Sequence, residues 1–306
     1  NFLQYGGVAV IGATGTESNT QVSPYATLQD KQISLDLVFA ATGGDGYVSS
    51  VSSIASGRGD CVAVLPAIDT GAPGNMSVAA GDATAESRTM DEFNITVFGA
   101  KKHLDVTRGI NDASSEANYI TTSVAPDVAG CLARTDRENA PWFSPAGFRR
   151  GRILDVIRLV DNPTDAEMDT LYDAKINPVV TFPGEGTVLF GDKTGAVSTS
   201  TLSRINVSRL FIFLKKTIGA AARGILFEMN DITSRAQFVN AVTPVLDNIQ
   251  ARRGLYDYKV VCDTTNNNQA IIDSNQFVAD IYIKPTKSVN FIKITFTNKN
   301  STDDLG

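Results

Sequence analysis

One histidine, His103, serves a chain of 306 residues, which removes most histidine-centred acid–base and metal chemistry before any motif is sought. Cysteine is scarce too. Cys61, Cys131 and Cys262 are odd in number, far apart and without a CxxC pair. That excludes a zinc framework or a secreted disulfide scaffold and leaves three buried thiols behaving as small apolar side chains. Positive charge is not in excess, with 27 basic against 33 acidic residues and a formal net charge of −6. A duplex-binding protein, whose affinity comes from neutralising phosphates, is therefore not expected. Long hydrophobic runs are missing: 210–214, about five residues, is among the longest, where a bilayer span needs roughly 20. With no visible signal peptide, the sequons at Asn75, Asn94, Asn206 and Asn300 carry little weight. The chain opens on Asn1-Phe2-Leu3-Gln4-Tyr5 without a methionine, and a longer parent product is expected.

What is present is ordinary for a globular protein. Hydrophobic residues make up 42% and charged residues 20%, with enough chain for about two domains that each bury a core. Residues 1–26 are rich in Gly, Thr and Ser and read as a connecting segment. From residue 27 the pattern changes: a strand over 32–41, a helix over 47–56, a buried strand over 61–66 closed by Pro66, an Ala-rich helix over 78–90, and a strand over 93–98. Such alternation is the signature of an α/β layer.

A helix over 126–134 follows, with Pro126 in its first turn. The proline-rich stretch 140–147 should be a packed loop anchored by Trp142, Phe143 and Pro145. Thr164-Asp165-Ala166-Glu167 is a capping box whose helix carries Met168, Leu171 and Tyr172 on one face and ends at Asn177-Pro178. Strands over 179–182 and 187–190 flank a turn at Pro183-Gly184-Glu185-Gly186. Two stronger helices are expected over 207–223 and 234–253, the second kinked at Pro244 and capped by Gly254. Strands over 256–262, 277–284 and 289–297 close the chain, the last two as a β-hairpin with a free edge.

Chemical motifs weigh little. Gly43-Gly44-Asp45-Gly46 and the run from Gly184 to Thr194 are glycine-rich, but Asp192 sits where a phosphate-binding loop needs glycine, and Gly184-x-Gly186 precedes a strand. Turns are the better reading. His103, within Lys101-Lys102-His103-Leu104-Asp105, reads as a solvated surface histidine, and Asp45, Asp60, Asp69, Glu185 and Asp192 are scattered turn residues without metal-site spacing. No catalytic, cofactor-binding or metal-ligating set stands out. The basic clusters Arg149-Arg150-x-Arg152, Lys215-Lys216 and Arg252-Arg253 are either solvated helix ends or surfaces that meet an acidic partner.

Several blocks do resemble one family. These are Asp127-Val128-Ala129-Gly130 with Ala133-Arg134-Thr135-Asp136, Pro141-Trp142-Phe143-Ser144-Pro145-Ala146-Gly147, and Ile176-Asn177-Pro178. Others are Gly191-Asp192-Lys193-Thr194, Arg204-Ile205-Asn206-Val207, Val261-Cys262-Asp263-Thr264-Thr265-Asn266-Asn267, and Ser288-Val289-Asn290-Phe291-Ile292. In this order they resemble the tail sheath proteins of contractile-tailed bacteriophages, the T-even type, over the C-terminal portion. The resemblance runs from about residue 27 and is firmest over 126–297.

The resemblance implies an α/β (α+β) chain of two domains, with mixed sheets flanked by helices. The divisions are 1–26 as connector, 27–157 as an α/β sheath domain, and 158–306 as a tube-facing domain with a terminal β-arm. It implies a non-enzymatic virion protein, without a cofactor, assembled in the host cytoplasm as stacked hexameric rings around the tail tube. Contraction of those rings drives the tube through the host envelope. Its partners would be copies of itself, the tube protein, and baseplate and tail terminator proteins, with no direct nucleic-acid contact and no membrane insertion. The hairpin residues Phe277, Ala279, Ile281, Ile283, Phe291, Ile292, Ile294 and Phe296 would lie in strands exchanged between subunits, and Arg252, Arg253, Lys215 and Lys216 would face the tube. The family's N-terminal arm and outward domains are absent from this stretch. The alternatives are a sheath of a related contractile injection system, such as a pyocin or secretion apparatus, an α/β hydrolase or nucleotide-binding enzyme, and a host binding module.

Overall fold

The computed structural model describes residues 28–30, 33–40, 45–67, 91–104, 119–197 and 200–288. The expected helix over 78–90 and the strand over 289–297 lie outside them. The main sheet has the order β1-β2-β3-β7-β8, built from Leu37–Phe39, Val62–Pro66, Asn94–Phe98, Ile176–Phe182 and Gly186–Leu189. The first four strands pair in parallel and β8 returns antiparallel to β7, so the sheet is mixed. It joins strands from both sides of residue 157.

Both faces of this sheet are covered, as its near-continuous apolar strands require. Ala63 and Leu65 of β2, with Cys61 just before it, pack with Val48, Val51 and Ala55 of helix α1 (Asp45–Arg58). The alternate residues Val62 and Val64 face Val128 and Leu132 of α2 (Ala125–Glu138). Arg58 closes α1 by donating to the carbonyls of Leu28 and Ile33 at 2.8 and 2.7 Å while pairing with Asp60, which ties the leading segment down.

A three-stranded sheet, β5-β4-β6, is formed by Tyr119–Ser123, Ala100–Leu104 and Arg158–Leu159. The charged stretch around His103 is thus a central strand rather than a solvated surface, and His103 is half-buried opposite Ile120. Strand alternation sends Lys101 inward, where its ammonium meets Asp127 of α2 at 3.0 Å with both side chains fully buried.

Helix α3 (Asp165–Asp173) opens with the expected capping box, Thr164 N–H reaching Glu167 at 2.8 Å. Leu171 is its buried contact. Strand β7 already begins at Ile176, so Asn177 and Pro178 belong to it rather than to a helix stop. Pro178 is tolerated because its carbonyl still accepts from Phe190 while no N–H is required of it there.

A second core lies C-terminal. Helices α4 (Ile205–Arg223) and α5 (Ile232–Ala251) pack Leu210, Leu214, Phe238, Val242 and Leu246 beneath the antiparallel ribbon of β9 (Leu255–Val261) and β10 (Asp280–Pro285). The short α6 (Gln269–Asp273) lies in the excursion between these strands. Helix α4 serves both cores, since Ile205 and Ile212 join the first while Leu210 and Leu214 join the second. The sequons at Asn94 and Asn206 are buried, which closes them to modification.

The end of α5 corrects one expectation. The left-handed residue is Arg253, at φ 65°, and not Gly254. Arg253 N–H reaches Gln250 and Gly254 N–H reaches Ile249, the paired bonds of a Schellman motif. Gly254 is required for space instead: a Cβ there would sit 2.4 Å from Ile249 and 2.9 Å from the Trp142 ring.

Candidate assembly surfaces

The β9–β10 ribbon is the described element best suited to pair with another chain. Its two strands bond only to each other among the described strands, so each keeps an outer edge of backbone donors and acceptors. The ribbon is held in place by its inner face, where Ile281 and Ile283, with Phe277 and Ala279 in the segment leading into β10, pack onto the α4–α5 core while Tyr256 and Tyr282 stay exposed. These four side chains therefore anchor the ribbon within its own subunit, and any exchange at this place runs through the backbone edge. Phe291, Ile292, Ile294 and Phe296 lie outside the described residues.

Register along the ribbon is set by an asparagine pair. Asn267, almost fully buried, donates to Val278 O at 2.7 Å and accepts from Val278 N–H at 2.9 Å. Asn266 donates to Val261 O and to Asp280. Asp263 accepts from the Thr265 hydroxyl and N–H, bonds that hold its carboxyl below the usual range. The block around Asp263 was visible in the sequence, but its role required knowing that residues 261–267 and 278–280 come together.

Beyond β10 the chain is fastened to the main sheet. Thr286 N–H bonds Gly254 O, and Ser288 donates to the buried carboxylate of Asp192, which also pairs with Arg204 at 2.9 Å. Asn177 clamps the same region from below, bridging Thr96 O and Lys193 O at 2.9 and 2.8 Å. Gly191 leaves room for that clamp, since a Cβ there would meet the Asn177 side chain at 2.8 Å. Gly184 and Gly186, at φ 80° and 91°, turn the β7–β8 hairpin, so this glycine-rich run is a structural junction. A cavity of about 460 Å³ beside it is lined by Lys175, Lys193, Arg204 and Lys287, with Asp173 opposing them.

Three of the four basic residues expected to face the tube have internal work. Lys215 donates to Gly59 O at 3.1 Å, and Lys216 reaches Leu35 O and Asp36, so both tie α4 to the main sheet's leading edge. The Arg252 guanidinium reaches Asn139 O and lies 5.2 Å from the Trp142 ring, while the Trp142 indole N–H donates back to Arg252 O at 3.1 Å. Arg253 is exposed, and its guanidinium has no partner among the described residues. In the anchor loop, Trp142 is buried edge-on against Phe213, Phe143 lies beneath Arg150, and Pro145 is buried. The link between α2 and α4 is completed by Arg209 and Asp136; burial pushes the Asp136 carboxyl up and Arg209 opposes that shift.

All three cysteines are free and buried, and burial pushes Cys61 up to about 11 and Cys131 up to about 12, so neither is a reactive thiol. Among the described residues no cluster of His, Cys, Asp or Glu is placed to hold a metal ion, and no helix is long and apolar enough to cross a membrane.

Comparison with known proteins agrees with this geometry. Residues 47–195 match the family model for the phage tail sheath protein central domain, and residues 197–299 match that for the phage tail sheath C-terminal domain. The tail sheath protein of Vibrio phage KVP40 is 51% identical over 182 residues, 60% of this chain and 27% of the relative. That of Enterobacteria phage T4 is 46% identical over 173 residues, 56% of this chain and 26% of the relative. The chain thus spans about a quarter of the length of the curated relatives it matches. In fold it is similar to the helical sheath of the anti-feeding prophage in its contracted state, with a TM-score of 0.74 at 17% identity over 93% of this chain and 76% of that one. These relatives are sheath proteins rather than enzymes. The mixed sheet, the helical second core with its ribbon, and both matched domains in order place the chain in the phage tail sheath family.

Proposed function

We propose that this chain is the inner part of a contractile-tail sheath subunit. It polymerises with copies of itself as stacked hexameric rings around a tail tube, then repacks into a shorter, wider array that drives the tube through the host envelope. The observation that carries this reading is the succession of central and C-terminal sheath domains over residues 47–299. The open-edged ribbon supports it physically. Main-chain bonds to a neighbour's strand give a joint that survives rotation of the bodies it links, so contraction needs only rigid-body repacking and no nucleotide.

In this reading the segment after Ser288, with Phe291, Ile292, Ile294 and Phe296, supplies a strand exchanged between subunits. Residues 158–306 face the tube, and Arg253 is the basic contact to the tube protein. Baseplate and tail terminator proteins bound the array, which is assembled in the host cytoplasm and resides in the virion. Negative-stain microscopy of the full-length subunit tests this. Tubular sleeves support the reading, and a monodisperse monomer at every concentration overturns it.

A further inference from the structure

The loop between α4 and α5 displays large apolar side chains to solvent. Phe227 is fully exposed, Met229 and Leu226 are 81% and 62% exposed, and Ile232, the first residue of α5, is 76% exposed. Scattered single apolar residues need no explanation, but a contiguous group of this kind marks a contact surface. The loop is also built to hold its shape. Glu228 N–H bonds Ile225 O, Asp231 N–H bonds Met229 O, and Asn230 is gripped by Gln276 O and Arg235. Asp231 in turn caps α5 through Ser234 N–H. Within this frame Phe227 is held at φ 73°, a left-handed conformation that a bulky residue adopts only under constraint.

A second exposed apolar group lies in the other matched domain. Phe148, Phe182 and Phe190 pack in T-shaped and tilted pairs at centroid distances of 5.1–6.2 Å beside the β7–β8 hairpin, with Phe148 and Phe190 nearly half exposed. Arg149 follows Phe148 directly, and Arg152 bridges Val188 with its guanidinium beside Gly186, opposite Phe182; both arginines are exposed. The loop carries the opposite charge on Glu228 and Asp231. One surface carries Glu228 and Asp231, the other Arg149 and Arg152 with Glu185 at the hairpin tip, and each is apolar at its centre.

We propose that the 226–232 loop of one subunit seats on the Phe148–Phe182–Phe190 cluster of a second copy, with Glu228 facing Arg149 and Arg152. Phe227 and Met229 fill the centre of the contact, where thioether and ring contacts are favourable, and the charges at its rim set register. The two patches differ, so the contact is heterologous, and repetition gives an open helical or ring array rather than a closed dimer. This inference rests on the sheath reading for the array in which the contact operates.

Mixing variants of the full-length protein tests the contact by sedimentation velocity. The loop variant carries Phe227→Gly and Met229→Ser; the cluster variant carries Phe148→Ser and Phe190→Ser. Each alone should need at least about tenfold higher concentration to assemble. Their mixture should form one-to-one pairs, because one intact loop then meets one intact cluster. Phe227→Gly leaves the melting temperature unchanged or raised, since glycine suits that backbone. Glu228→Arg should weaken assembly, and Arg149→Glu with Arg152→Glu on the other partner should restore it. Assembly of all variants at the parent's concentration overturns the contact while leaving the sheath reading intact. Lost tube binding with unaltered self-assembly also overturns it, by assigning the loop another occupant. Charge-swap-sensitive oligomers that never form tubes support the contact and count against the sheath reading.

Discussion

Replacing Asp127 with leucine leaves the Lys101 ammonium in the interior without its carboxylate. The pair lies at 3.0 Å with both side chains 0% exposed, so no solvent screens it and none replaces the lost partner. Lys101 retains one further acceptor, Leu154 O at 3.3 Å, which serves a single ammonium proton. Breaking a buried pair from one side costs about 3–5 kcal/mol, whereas replacing both partners by apolar groups of similar volume is often neutral. A loss of about 4 kcal/mol in a domain of this size lowers Tm by roughly 8–16 °C. Thermal melts and urea titrations of Asp127→Leu, Lys101→Met and the double variant make the comparison. Each single variant should be strongly destabilised and the double should recover most of the loss. A single-variant shift below about 1 kcal/mol, or a double no better than the singles, would refute the argument that the pair is buried and mutually required.

Further outcomes follow from the C-terminal core and its caps. Gly254→Ala should destabilise by about 1–3 kcal/mol in urea titrations, because the added methyl meets Ile249 and Trp142 at distances no side-chain shift relieves cheaply. Arg253→Gly should raise stability by about 1 kcal/mol by removing a left-handed arginine, yet reduce tube co-sedimentation; unchanged tube binding returns Arg253 to a solvated surface role. Arg252→Ala should weaken the fold itself, through Asn139 and Trp142. The carboxylates of Glu167, Asp231 and Asp263 are held below their ordinary values by hydrogen bonds from Thr164, Ser234 and Thr265 respectively. Their stabilisation is therefore complete above about pH 4.5 and lost as pH falls through the lowered folded values, and Asp231→Asn should flatten that acid limb of a stability–pH curve.

Much of the fold was legible where a side-chain period repeats undisturbed. The strands at 62–66 and 94–98 and the helices ending at Arg223 and Ala251 were expected within a few residues, because burial on one or both faces imposes period 2 or 3.6. Charge hid β4: Lys101 and Lys102 read as surface, and only a carboxylate brought across from α2 makes burial of one of them tolerable. Proline hid the start of β7, since the rule against proline in strands yields where the ladder asks only for a carbonyl. At Arg253 the usual glycine rule failed because space for Trp142, and not backbone freedom, decides where the glycine stands. The surfaces were less readable still. Asn177, Asp192 and Asn267 act across gaps of many residues, and the basic pairs reveal internal partners only once the chain is folded. Nothing in a loop reading Leu226-Phe227-Glu228-Met229 distinguishes an exposed knob from core.

Deleting residues 289–306, which keeps the Thr286 and Ser288 ties, should leave a folded subunit that no longer polymerises. The most direct measurement is helical reconstruction of the assembled full-length sheath at a resolution that traces the backbone. The account predicts a strand from a neighbouring subunit hydrogen-bonded along an outer edge of the β9–β10 ribbon. A ribbon whose edges are both bare, or closed only by its own chain, would contradict it.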